Sequence, residues 1–119
     1  AAAPEKGRSA LDAVESMNFM VNLMREHLPE TARIHYIITK GGAAPNIVPE
    51  YAEVYYYARH PDVDELERIW VRIIKVAEAA AIGTETTLEY EVMHANRPLL
   101  TNLPLAKLVF EPEELCLRL

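Results

Sequence analysis

The order of elements written into this sequence predicts an α+β fold, a ferredoxin-like two-layer sandwich with two helices on one face of an antiparallel sheet. Three observations predict it. Two stretches carry apolar residues at three- and four-residue spacing, three others alternate at every second position, and they follow one another as helix, strand, strand, helix, strand. That order is βαββαβ lacking its first strand.

Ser9 is suited to cap a helix over about residues 9–28, in which Leu11, Val14, Met17, Asn18, Val21, Met24 and Leu28 form one stripe that stops before Pro29. The methionines Met17, Met20 and Met24 read as adaptable core filler. Over residues 32–40, Ile34, Tyr36 and Ile38 alternate with His35, Ile37 and Thr39, the pattern of a strand. Gly41 and Gly42 free the backbone to turn, and Pro45 and Pro49 cannot donate to a ladder, so this segment is a loop. The next strand, over about 51–60, puts Ala52, Val54, Tyr56 and Ala58 on the helix-covered face and Glu53, Tyr55, Tyr57 and Arg59 on the other. Asp62 followed by Glu65 resembles a capping box, and Leu66, Ile69, Trp70, Ile73, Ala77, Ala80 and Ala81 give the stripe of a second helix, with Gly83 as its expected C-cap. Residues 84–94 alternate Thr86, Leu88, Tyr90, Val92 and His94 against an acidic outer face, predicting a third strand. Residues 1–97 therefore read as one domain and 98–119 as a tail.

The first strand of a complete sandwich lies between its third and fourth, so its absence leaves two ladders open. The apolar runs within Ala106–Leu119 are candidates to fill that place, or to connect onward to a further domain.

A chain of 119 residues can bury a single core, and its net charge of −6, with no basic stripe, argues against nucleic acid. The lone Cys116 forms no internal disulfide, which fits a reducing, cytoplasmic setting. No apolar run is long enough to span a bilayer and no signal-peptide pattern is present, so no membrane association is expected.

Gly41-Gly42, then Asn46-Ile47-Val48-Pro49, then Arg59, 59 − 46 = 13 residues beyond the Asn, together resemble the lid or dimerisation domain of the dinuclear-zinc amidohydrolase and metallopeptidase family, which includes aminoacylases and glutamate carboxypeptidases. The likeness covers about residues 3–97. Gly7–Glu15, Arg33–Tyr36 and Thr84–Thr87 carry it toward the aminobenzoyl-glutamate-cleaving branch. The resemblance implies that Asn46 and Arg59 hold the carboxylate of a small N-acyl amino acid. Arg suits this task because its planar fork meets a carboxylate through two charge-assisted bonds, each worth about 1.5–3 kcal/mol where water is excluded. It implies loop-shaping roles for Gly41, Gly42 and Pro49. Strand parity places His35 on the same side as Ile37 and Thr39, where it is a weaker candidate to line the cleft.

The resemblance further implies a homodimer joined through the edge strand 32–40 and the helix 9–28. An edge carrying Ile34, Tyr36, Ile37 and Ile38 supports such pairing independently. The zinc-binding segments of the family, and the His that reaches across its dimer, have no counterpart in this sequence. No cofactor is expected in this chain, two zinc or other divalent ions are implied for its parent enzyme, and the chain alone is expected to be inactive. His94 and the nearby glutamates Glu85, Glu89 and Glu91 fall on opposite strand faces, which argues against a metal site there. The competing reading is a stand-alone ferredoxin-like module that binds a small ligand or self-associates, since the fold itself hosts many functions.

Overall fold

The computed structural model describes residues 2–97, 99, 100 and 102–104. After a single 3-10 turn at Pro4–Lys6 come helix α1 (Ala10–Met24), a 3-10 turn (Arg25–His27), strands β1 (Arg33–Lys40) and β2 (Glu53–Arg59), and helix α2 (Val63–Thr84). The two strands form an antiparallel ribbon in which Arg33 faces Arg59, Tyr36 faces Tyr56 and Lys40 faces Glu53, with an irregularity between Ile38 and Lys40. Both helices cover one face of it, as the α+β reading requires.

Local chemistry fixes the helix ends. Ser9 caps α1, its hydroxyl accepting the Asp12 N–H at 3.2 Å. Asp62 caps α2 by accepting the Glu65 N–H at 3.0 Å. The return bond of a capping box is not made: Glu65 pairs with Arg68, and the Asp62 N–H goes to His60 Nδ1 at 3.0 Å. The C-terminal end of α1 is tied to its neighbours by Arg25, which donates to the Ile34 carbonyl at 2.7 Å, and by Arg72 of α2, which donates to the His27 carbonyl at 3.2 Å.

The core lies between the helices and the covered face of the ribbon. Val21 and Met24 from α1, Ile34 from β1, and Ile69 and Ile73 from α2 form its centre, flanked by Met17, Tyr56, Ala58 and Trp70. Strand parity sorts the side chains as expected: Ile34, Tyr36, Val54, Tyr56 and Ala58 turn toward the helices. Asn18, in the middle of the apolar stripe of α1, is buried at 6% exposure and accepts the Tyr56 hydroxyl proton at 2.5 Å. This pairing satisfies a polar group that would otherwise destabilise the core.

Two expectations are corrected. Gly83 is not the C-cap of α2; the helix runs through it, and Glu85 takes the left-handed position at φ 55°, its N–H returning to Ile82 and that of Thr86 to Ala81. The Arg8 guanidinium pairs with the Glu85 carboxylate and holds this cap residue from outside. The predicted strand over 84–94 does not form either. Thr84 ends α2, and residues 86–97 belong to no helix or strand.

The physical reason is that, among the described residues, no strand lies beside this segment to share a ladder with it. His94 brings its ring to 6.0 Å from that of Tyr57. At the other end of β2, the Tyr51 hydroxyl is raised above its ordinary range chiefly by its bond to Glu53, with the charge of Glu89 contributing. Residue 94 thus lies beside Tyr57 of β2. The alternation persists only at the start, with Thr84, Thr86 and Leu88 partly buried and Glu85, Thr87 and Glu89 exposed, whereas Tyr90, Val92 and His94 are all exposed. The expected filler, Ala106–Leu119, lies outside the described residues.

Candidate functional site

The face of the ribbon away from the helices is open, and it carries the chemistry. His35, Ile37 and Thr39 from β1 stand beside Glu53, Tyr55, Tyr57 and Arg59 from β2, with His35 directly opposite Tyr57. The rings of Tyr55 and Tyr57 lie 5.2 Å apart, and Tyr55 donates its hydroxyl proton to Tyr57 at 3.3 Å. That bond is the main reason the Tyr55 hydroxyl is held above the ordinary phenol range. The Arg59 guanidinium sits 5.9 Å from the Tyr57 ring centre. Among the described residues no carboxylate pairs with it. Arg33, its partner in register, instead donates to the backbone carbonyls of Glu30 and Ala32.

At the far end of the ribbon the face is acidic and self-satisfied. Glu53 accepts from the Thr39 hydroxyl at 2.5 Å and from the Tyr51 hydroxyl at 2.8 Å, and these bonds hold its carboxyl below the ordinary range. Lys40 approaches the same carboxylate at 4.0 Å and the Tyr51 ring at 5.2 Å.

The loop between the strands folds against the start of α1, where Ser9, Leu11, Asp12, Gly41–Pro45, Ile47 and Pro49 line a shallow cleft. Gly42 has φ 114°, and a Cβ there would come within 2.9 Å of the Pro49 ring, so this position requires glycine. Gly41 has no such constraint; a Cβ would meet only Leu11 and Ile38 at ordinary contact distance. Pro49 anchors the loop by accepting the Ala10 N–H at 2.9 Å. Asn46 is exposed within the turn closed by the Ile47 N–H to the Ala44 carbonyl at 3.1 Å.

Arg59 and His35 are therefore brought onto one face, and Asn46 is not brought to them. The loop leaves the ribbon at Lys40 and Glu53, while Arg59 lies six residues further along β2, roughly 20 Å at strand rise. Sequence reasoning placed Tyr55 and Tyr57 beside Arg59 but gave them no role, and their mutual contact and the contact with His94 were not legible. Among the described residues no group of three or more His, Cys, Asp or Glu side chains is placed to hold a metal ion, and none of the described helices is long and apolar enough to cross a membrane.

Residues 1–85 match the family model described as the peptidase dimerisation domain. The chain belongs to that family. It is 43% identical over 109 residues to one of the subunits of the p-aminobenzoyl-glutamate hydrolase of Escherichia coli K12, a match covering 91% of this chain and 23% of the relative. It is also 37% identical over 91 residues to the Xaa-Arg dipeptidase of Mus musculus and 36% over 86 residues to that of Homo sapiens, covering 76% and 72% of this chain and 21% and 20% of those relatives. The chain thus spans about a fifth to a quarter of the length of the relatives it matches. These relatives are hydrolases, and this peptidase dimerisation domain is homologous to one of their parts.

Proposed function

We propose that this domain joins two subunits of a metal-dependent amidohydrolase and presents Arg59 to the carboxylate of a small N-acyl amino acid, the zinc-binding and catalytic groups residing elsewhere in the parent protein. The observation that carries the substrate role is the state of Arg59. A guanidinium in a chain of net charge −6 stands on an open face with no carboxylate partner among the described residues. A parent acting on an aminobenzoyl-glutamate-like substrate is favoured by the greater identity and coverage of the match to the bacterial hydrolase. A cytoplasmic setting is part of this reading, supported by the single cysteine.

Self-association is supported by the family and by the surface. β1 pairs only with β2 among the described strands and exposes Ile37 and Ile38, and α1 exposes Phe19. Two such edges paired antiparallel about a two-fold axis make a self-complementary interface.

The geometry adds a condition on Asn46. Because it lies at the opposite end of the ribbon from Arg59, the two residues meet one small carboxylate only if they come from different subunits or if the loop is rearranged. The test is Arg59→Gln in the parent enzyme. It should raise KM for N-acyl glutamates by at least tenfold through loss of about 1.5–3 kcal/mol of charge-assisted bonding. An unchanged KM would remove the carboxylate role.

A further inference from the structure

We propose that His60 is a positioning residue for Arg59, fastening the end of β2 so that the guanidinium is presented from a fixed backbone. The inference rests on the carboxylate reading of Arg59 given above and adds to it what holds that side chain ready.

The ladder stops where Arg59 stands. Arg33 and Arg59 are the last residues in register at this end of the ribbon, and two guanidiniums set directly opposite each other weaken the pairing they belong to. Backbone pairing cannot be carried on through Pro61, which has no N–H to donate. Arg59 thus stands at an end of the ribbon that backbone bonds alone leave disposed to fray.

The half-buried His60 closes that end with its side chain. Its Nδ1 accepts the Asp62 N–H at 3.0 Å, so the ring is neutral with its proton on Nε2, which donates to the Thr31 hydroxyl at 2.8 Å. One ring therefore ties the last residues of β2 to the turn that leads into β1 and to Asp62, whose carboxylate caps α2 by accepting the Glu65 N–H. The position suits histidine in particular, because a neutral imidazole accepts at one nitrogen and donates at the other, which neither a carboxylate nor an ammonium does. Consecutive side chains along a strand turn to opposite sides, so His60 acts on Arg59 through the backbone and not by touching its ligand.

The experiment has two parts. In the 119-residue chain, NMR of the His60 ring nitrogens at neutral pH should show Nε2 protonated and Nδ1 bare. In the parent enzyme, KM for N-(4-aminobenzoyl)glutamate is compared for His60→Ala, His60→Asn, Thr31→Val, Arg59→Gln and the double variant His60→Ala/Arg59→Gln. His60→Ala should raise KM about 2- to 12-fold, the equivalent of one ordinary hydrogen bond. Thr31→Val should raise it in the same direction, and His60→Asn, whose Oδ1 can accept the Asp62 N–H in place of Nδ1, should recover part of the loss. Because His60 acts through Arg59, His60→Ala should add nothing in the Arg59→Gln background. An equal rise in both backgrounds, or a His60 ring protonated on Nδ1, would overturn the inference. A KM raised by Arg59→Gln but unmoved by His60→Ala and Thr31→Val would overturn it too and leave the carboxylate role of Arg59 standing. A KM indifferent to Arg59→Gln would overturn both.

Discussion

The buried pair Asn18 and Tyr56 offers a direct check on the packing of α1 against β2. The Tyr56 hydroxyl donates to Asn18 Oδ1 at 2.5 Å, and Asn18 is 6% exposed. Tyr56→Phe removes the donor and leaves the amide oxygen without it, a loss of about 1–3 kcal/mol. The lower half of that range is expected, because the tyrosine hydroxyl no longer has to be desolvated. Asn18→Leu strands the hydroxyl instead and should cost a similar amount. The double variant replaces both partners by apolar groups and should cost less than the sum by at least about 1 kcal/mol. Burial pushes the Tyr56 hydroxyl well above the ordinary phenol range, with Tyr36 adding to the shift, so it remains a donor throughout the neutral range. The assay is urea unfolding of the four proteins followed by far-UV circular dichroism, in which, at about 1–3 kcal/mol per M of urea, a loss of 1 kcal/mol lowers the midpoint by about 0.3–1 M. Additivity within about 0.3–0.5 kcal/mol would show that the two side chains are not coupled and would refute this account of the helix–sheet interface.

Two glycines should respond oppositely to alanine. Gly42→Ala forces a Cβ against the Pro49 ring at a positive φ and should destabilise by about 1–3 kcal/mol, whereas Gly83→Ala, in helical backbone with nothing near the new methyl group, should stabilise by about 0.4–1 kcal/mol; thermal melts of both variants read this directly. The carboxyl of Asp62 is held below its ordinary value of 3.8, chiefly by the Glu65 N–H it accepts at the start of α2. Its contribution to stability is therefore present where it is ionised and is lost as pH falls through the depressed folded value. Asp62→Asn keeps a capping oxygen without a titrating charge, so its stability should fall less steeply with pH below 3.8 than that of the unaltered chain, as measured by urea midpoints across acidic pH.

Most of the fold was legible because it follows from local chemistry. The caps Ser9 and Asp62, the stripes of both helices and the parity of β1 and β2 depend on spacing that a sequence shows directly. Glu85 in place of Gly83 as the C-cap was not legible. A left-handed glutamate costs about 1–2 kcal/mol, and here Arg8, 77 residues away in sequence, pairs with it. The alternation of segment 84–94 is kept only as far as Leu88, and a pattern specifies a face and not a partner: among the described residues no strand lies beside it to share a ladder. At the site, parity put Arg59 with Tyr55 and Tyr57 and His35 with Ile37 and Thr39, and it is the register of the ribbon that brings the two sets onto one face. Parity was silent on the distance to Asn46, because the direction in which a loop leaves a ribbon is a tertiary property. The aromatic surface was missed for the same reason: Tyr55 and Tyr57 were visible as neighbours, but the approach of His94, 37 residues beyond Tyr57 (94 − 57), was not.

The central claim, that this domain associates through the β1 edge and α1, is tested most directly by multi-angle light scattering over a concentration series to the high micromolar range. The unaltered chain should approach twice its 13.5 kDa mass as concentration rises, and Ile37→Lys, which places a charge on the exposed edge without touching the core, should keep it monomeric. An unaltered chain that stays monomeric throughout, or an Ile37→Lys variant that dimerises as readily as the original, would contradict the account.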